Sequence, residues 1–389
     1  MRRITLSLIL VILCISLIGW FVKHSAKLDE KRALAIMPAI SLRQMLDNTF
    51  YLRIERYFND HFIFRSQLIN AKSWIDYNLF RSPISSKVHI GKDNWLYLDE
   101  ELFDYTNGGC KDKEKIRELA FQLNELERML ELSGKKFIFI VAPNKSTIYP
   151  EYVDIDQIRL GCQKSRYDIL LESFKEYPVR NIIRLDNVLN AAKRREQVYF
   201  KTDTHWNVYG AKLASHAILS HLYHIYQLSL SRQQFPDIKI SPYTYSGDLA
   251  QMLSLDISEN SGYPEKISYH SEFYITNLKP LSNGYPCFRA TAKPSDNELL
   301  LPMAILYRDS FMNVPVRFLT SSFEQLDVYW TYNIPTEEGK EDLYSSNIVL
   351  IEIVERNLIN LNINLQRFKE MLSRDFMKVS SYKIPEETM

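Results

Sequence analysis

A chain of 389 residues, 46% hydrophobic and 24% charged, has the composition of one large globular domain with extensions or of two modest domains. Its formal net charge of +1 excludes the basic footprint of a nucleic-acid binder, and its apolar content excludes a chain dominated by disorder. Aromatics are abundant, with 5 Trp, 24 Tyr and 20 Phe against 11 Gly. Most belong in core and sheet positions, and a minority can build a stacking surface for sugar rings.

Met1-Arg2-Arg3 precedes an uncharged run, Ile4 to Val22. As a helix this run would reach about 28 Å, close to the thickness of a bilayer core. Lys23-His24-Ser25-Ala26-Lys27 follows it and matches a small-x-small cleavage site poorly. The expectation is an uncleaved signal anchor over 1–27, with its basic end in the cytoplasm and the rest exported; a cleaved signal peptide is the alternative. Cys14 falls inside the run, which leaves Cys110, Cys162 and Cys287 on the exported side. Cys110 and Cys162 flank one predicted helix–strand unit and are expected to pair, leaving Cys287 a buried thiol.

Leu28 to Pro38 reads as a polar linker, and Ser41 to Phe80 has helical apolar spacing, so 28–85 forms a helical lead-in. Two short alternations around Gly91-Lys92-Asp93-Asn94 predict a β-hairpin in "KVHIGKDNWLYL". From there helices and buried strands alternate through 86–389. Helices are predicted over Lys113 to Leu132, Arg166 to Lys175, Val208 to Tyr226 and Asn357 to Leu372. Strands are predicted over Phe137 to Ala142, Asn181 to Asp186, Ala304 to Tyr307 and Ile348 to Val354. Short continuous apolar strands separated by helices argue an α/β fold, a mostly parallel sheet with helices on both faces. About 229–302 is rich in Ser, Pro, Tyr and Asn and reads as a loop-and-hairpin insertion.

Sites in open parallel sheets form beyond the carboxyl ends of the strands. Those ends carry Asn144 and Lys145, then Arg308, Asp309 and Ser310, then Glu355 and Arg356. Ser310 directly follows a buried strand, where amides at a helix start can bind an oxyanion, but an Asp-Ser helix cap uses the same residues. A serine nucleophile needs a base within reach. "DTHW" offers one: residues two apart in an extended segment share a side, so Asp203 can orient His205, whose unperturbed pKa of about 6.5 suits a base. Asp203 or Thr204 as the N-cap of the following helix is the competing reading. His221 and His224 are three apart but lack a carboxylate partner, so no metal site is expected.

"TDTHWNVYGA" followed by "RDSF" resembles the SGNH-hydrolase-like domain of the alginate O-acetyltransferase family, the membrane-anchored periplasmic type. "DHFIFR", "VHIGKDNWLYL", "APNKSTIYPE", "SGDLAQML" and "VER" extend the resemblance in order over nearly the whole chain after the anchor. It implies an SGNH-hydrolase-like, flavodoxin-like fold and a Ser310–His205–Asp203 triad in the order acid, base, serine. The wider superfamily favours Gly-Asp-Ser where this chain has Arg308-Asp309-Ser310, so the oxyanion donors are left among Arg308, Asn144 and Arg356. The implied reaction transfers acetyl groups through acetyl-Ser310 to a secreted polysaccharide, with a multi-pass membrane acyltransferase as donor and no metal or nucleotide cofactor. A carbohydrate esterase and a non-catalytic polysaccharide-binding assembly factor are the alternatives. Tyr307, Trp330 and Tyr332 flank the Ser310 segment and are the candidate glycan-stacking aromatics.

Overall fold

The computed structural model describes residues 33–62, 64–80, 87–154, 161–228, 235–269, 271–282, 284–293 and 300–379. The expected signal anchor lies outside the described residues. Among those described, no helix is long and apolar enough to cross a membrane. The chain divides into two compact units. One holds the described residues up to 80 together with Gln251–Asp256, and the other holds those from 87 onward apart from that short segment.

The larger unit is built on a seven-stranded sheet. Its strands are β1 (Lys136–Ala142), β2 (Ile182–Arg184), β3 (Phe273–Asn277), β4 (Phe288–Ala292), β5 (Ala304–Arg308), β6 (Gln325–Trp330) and β7 (Ile348–Val354), in the order β2-β1-β7-β5-β6-β4-β3. The five from β2 to β6 are parallel, and β4 and β3 close one edge antiparallel. Successive side chains on a strand point to opposite faces, which gives the sheet two cores. Ile138, Ile140, Leu306 and Leu350 face helices α3 (Leu185–Ala192) and α4 (Val208–Ile225). Phe139, Tyr307, Ile351 and Ile353 face α1 (Lys113–Leu132), α2 (Arg166–Ser173) and α5 (Leu365–Val379).

Helix α1 shows why these segments are helical. Ile116, Leu119, Ala120, Leu123, Leu126 and Leu130 recur at three- and four-residue spacing and are all buried. Each leucine contributes roughly 1.5–3 kcal/mol by leaving water. The helix stops at Gly134, whose φ of +73° is the left-handed conformation that glycine tolerates. The hairpin Val88–Ile90 with Leu96–Leu98 forms around the expected turn. Cys110 and Cys162 are joined in a disulfide, and Cys287 is a buried thiol.

One strand was not expected, and two expectations need correction. Gln325–Trp330 is a central strand, although Gln325 and Asp327 interrupt its apolar run; Asp327 is buried only because Arg289 and Gln325 hydrogen-bond it. The presumed insertion is more than an appendage, because β3 and β4 complete the main sheet and Asp237–Tyr245 pairs with Glu259–Ser268 in a second hairpin. The helix expected from Asn357 begins only at Leu365. A 3-10 turn, Glu355–Asn360, and a two-residue strand, Asn362–Ile363 against Asn333–Ile334, intervene.

Candidate active site

The segment Tyr199–Trp206 is a loop closed by an antiparallel bridge between its two ends. Its shape is held from within by Lys145. The ammonium of Lys145 is fully buried and donates to the carbonyls of Phe200 (3.3 Å), Lys201 (3.3 Å) and Asp203 (2.6 Å), beside the rings of Trp95 and Tyr97. Burial pulls its pKa down, while the charges of Glu101 and Asp203 oppose that pull. Glu259 clamps the same loop by accepting from the amides of Lys201 and Thr202 and from the Thr202 hydroxyl. The cap of α4 is Asn207, whose side chain accepts from the amides of Tyr209 and Gly210. Neither Asp203 nor Thr204 is needed there, so both are free to serve the loop.

Asp203, His205 and Ser310 form one hydrogen-bonded chain. His205 Nδ1 lies 2.7 Å from Asp203 Oδ1, and His205 Nε2 lies 2.8 Å from Ser310 Oγ. Trp206 fixes the two halves together: its Nε1 donates to Phe311 O at 3.0 Å, and its ring meets Phe311 edge-on. The Asp203 carboxylate also accepts from the His205 amide (2.9 Å), the Tyr245 hydroxyl (2.7 Å) and the Asp248 amide (2.9 Å). Burial alone would raise its pKa, but the His205 interaction and these donors outweigh it and hold the carboxyl well below the usual range.

Tyr245 ends the first strand of the second hairpin and Asp248 opens the short helix that follows it, and both approach the loop closely. A Cβ on Gly247 would sit 2.3 Å from Thr202 O, so only glycine permits the approach. Asp248 in turn accepts from the amide and hydroxyl of Thr204, at 2.8 and 2.7 Å. "SGDLAQML" is therefore part of the site's frame. Nothing in the sequence placed Tyr245 there, because its partner lies 42 positions away. Asp203, His205 and Asp248 offer three ligand atoms within 4.8 Å of one another. A cation there would have to displace the bond between His205 Nδ1 and Asp203.

Behind Ser310 the carboxylate of Asp309 accepts from the amides of Phe311 (2.8 Å) and Val354 (2.8 Å), which ties the start of the 3-10 turn Ser310–Asn313 to β7. The Phe311 amide is thereby occupied. Glu352 accepts from the Asp309 amide at 3.1 Å; burial and the Asp309 charge raise its pKa well above the ordinary value. The three residues left open as oxyanion donors separate. Asn144 donates its amide to Asp104 (2.9 Å) and accepts from Arg356 (3.3 Å), whose guanidinium lies over the Phe311 ring. Arg308 turns away to Asp309 O and Asn313 and stacks on Trp330.

The aromatic expectation is also revised. Tyr307 is fully buried in the sheet. Trp330 carries the Arg308 guanidinium 4.3 Å from its centroid and the Tyr285 ring at 4.2 Å, nearly parallel. Both groups pack against the indole, so Trp330 is already a stacking partner within the protein. The hydroxyl of Tyr332 accepts from Asn357 at 2.8 Å, and its ring is half-buried.

Residues 88–277, which include Asp203 and His205 but stop short of Ser310, match the family described as SGNH hydrolase-like domain, acetyltransferase AlgX. The chain is 29% identical over 205 residues to "Probable alginate O-acetylase AlgJ" of Pseudomonas syringae pv. tomato, covering 52% of this chain and 50% of that one. The protein of the same description from Pseudomonas aeruginosa is 27% identical over 202 residues, with the same coverage. The chain is similar to proteins described as probable alginate O-acetylases. It spans about half the length of the curated relatives it matches. The O-acetyltransferase domain of Pseudomonas putida AlgJ superposes with a TM-score of 0.49 at 18% identity, over 75% of this chain and 99% of that one. The unit that contains the matched residues 88–277 holds a mixed sheet with helices on both faces.

Proposed function

We propose that this chain transfers acetyl groups to hydroxyls of a secreted polysaccharide through an acetyl-serine intermediate, with Ser310, His205 and Asp203 as its triad. The observation that carries this reading is the continuous Oγ–Nε2, Nδ1–Oδ1 chain at 2.8 and 2.7 Å. Ser310 Oγ attacks the acetyl carbonyl while His205 Nε2 takes its proton; the tetrahedral adduct collapses to acetyl-Ser310 as the protonated leaving group departs. A sugar hydroxyl then attacks the acetyl carbon, gives its proton to His205, and leaves as the acetate ester when Ser310 Oγ is reprotonated. Asp203 keeps the imidazole in the tautomer this requires and stabilises the imidazolium.

Alginate is the polymer that the names of the curated relatives specify, which supports an exopolysaccharide as acceptor. The domain plan follows from that role: 1–27 anchors the chain in the inner membrane, 28–85 leads in, and 86–389 works on the periplasmic side. There a multi-pass acyltransferase delivers acetyl groups drawn from the cytosol. A C-terminal reporter active only outside the cytoplasm is the expected result for that topology.

The test of the chemistry is a small acetyl ester followed by peptide mapping. Wild type should carry acetyl on the peptide containing Ser310, and added acceptor sugar should divert the product from acetate to acetyl-sugar. Acetate alone at every acceptor concentration would make the chain an esterase. Full acetylation of the polymer by Ser310→Ala would overturn the triad itself.

A further inference from the structure

The smaller unit presents its apolar side chains outward. Its helices run over Phe50–His61 and Arg65–Ile75, the second continuing as a π-turn, Asp76–Phe80. Among the described residues, most of the exposed large apolar side chains fall between Leu34 and Phe80. On the second helix they are ordered. Phe64 (41% exposed) just before the helix, Leu68 (59%) and Ile75 (41%) within it and Leu79 (68%) in the π-turn are spaced four, seven and four residues apart, which aligns them along one side. Ser73 and Tyr77, from the opposite face, are buried. The buried side thus holds one serine and one tyrosine, and an apolar stripe is left outside.

What covers such a stripe is indicated by the chain ahead of it. The uncharged run Ile4–Val22 ends 11 residues before Ala33, a tether that spans at most about 40 Å fully extended. A unit held this close to a bilayer has its apolar stripe within reach of the headgroup boundary. Its composition suits that depth: Trp74, Phe80, Tyr51 and Phe58 are exposed, as aromatics are at membrane interfaces, and the Lys72–Asp76 ion pair borders the stripe.

We propose that the face formed by Phe64, Leu68, Ile75 and Leu79 lies in the bilayer interface, so that this helix is a surface-bound element distinct from the spanning run. The inference rests on the signal-anchor reading given above. It gives the lead-in a task, which is to hold the catalytic unit at the membrane surface instead of on a free tether.

The experiment uses the full-length chain in its native membrane, with Leu68 replaced by the photo-crosslinker p-benzoylphenylalanine and, in a second variant, Asn70 replaced in the same way. After irradiation, mass spectrometry of the protein should show phospholipid adducts at position 68 and essentially none at position 70. An adduct from position 68 to the chain's own catalytic unit or to another protein would overturn the proposal, and so would the absence of any adduct. Recovery of the chain in the soluble fraction would instead overturn the anchor reading itself.

Discussion

Asp203 and Glu355 are carboxyls of one domain, 3% and 1% exposed, yet the protein holds them in opposite states. Asp203 accepts from two backbone amides, a tyrosine hydroxyl and an imidazole, and its pKa is driven below the usual range. Glu355 accepts from the Asn144 amide and the Thr147 hydroxyl and faces the carboxyl of Asp104; burial first, then that like charge, push it up to about 8. Burial is the same in both places. The number of donors and the sign of the neighbour decide which carboxyl is charged.

The comparison breaks most sharply if the charge is taken from Asp203. Asp203→Asn keeps the shape and can still accept from Tyr245. It presents the wrong partner to His205 Nδ1, so polymer acetylation, assayed well below the melting temperature of the variant, should fall by about 10⁴-fold. A fall of less than tenfold would mean that His205 does not depend on this acid. The next largest effect is expected one layer out. Lys145→Met removes the cation that holds three carbonyls of the Asp203 loop and should cost about 3 kcal/mol or more of stability. Assayed well below its melting point, the variant should still lose at least about tenfold in turnover, because misplacing a reacting group by an ångström is that costly. A destabilised variant with full turnover would make Lys145 structural only.

Tyr245→Phe removes one of four donors and nothing else. A hydrogen bond to a charged group is worth about 1.5–3 kcal/mol, and the stability loss at pH 7 should fall in that range, with turnover reduced less than tenfold. The sign with pH is fixed. A carboxyl whose folded pKa lies below its unfolded one stabilises the fold above the ordinary carboxylate range, and that contribution is lost as pH falls through the folded value. The deficit of Tyr245→Phe should therefore shrink in acid. A stability at pH 7 unchanged by Tyr245→Phe would assign the hydroxyl to some other partner.

These residues also mark where the sequence was legible. Asp203 and His205 are two apart and Ser310 follows an apolar strand, so local rules made them candidates, while their choice over helix caps came with the family resemblance. Tyr245, Asp248 and Glu259 contribute just as directly, but they reach the loop from a hairpin more than 40 positions away, and no local period reports a tertiary approach. The core strands β1, β5 and β7 read clearly because both faces are buried. β6 did not, since Asp327 interrupts its apolar run and is tolerated only through Arg289. The aromatics flanking Ser310 misled in another way: their chain positions are right, but Arg308 and Tyr285 already pack against the Trp330 indole.

The smallest effect expected is at the other carboxyl, and it has the opposite sign. Glu355 stays protonated in the fold at a pH where the unfolded chain has already released the proton, so native stability should decline as pH rises from the ordinary glutamate range to about 8. Glu355→Gln keeps an acceptor for the Asn144 amide and the Thr147 hydroxyl but cannot ionise. Its melting curves should decline less between pH 5 and pH 8, by on the order of 1 kcal/mol relative to wild type, since Asp104 shares the titration. Polymer acetylation at neutral pH should stay within about twofold, because Glu355 makes no hydrogen bond to the Asp203–His205–Ser310 chain. Parallel pH profiles for wild type and Glu355→Gln would show that Glu355 is charged in the fold, and the contrast with Asp203 would then reduce to geometry alone.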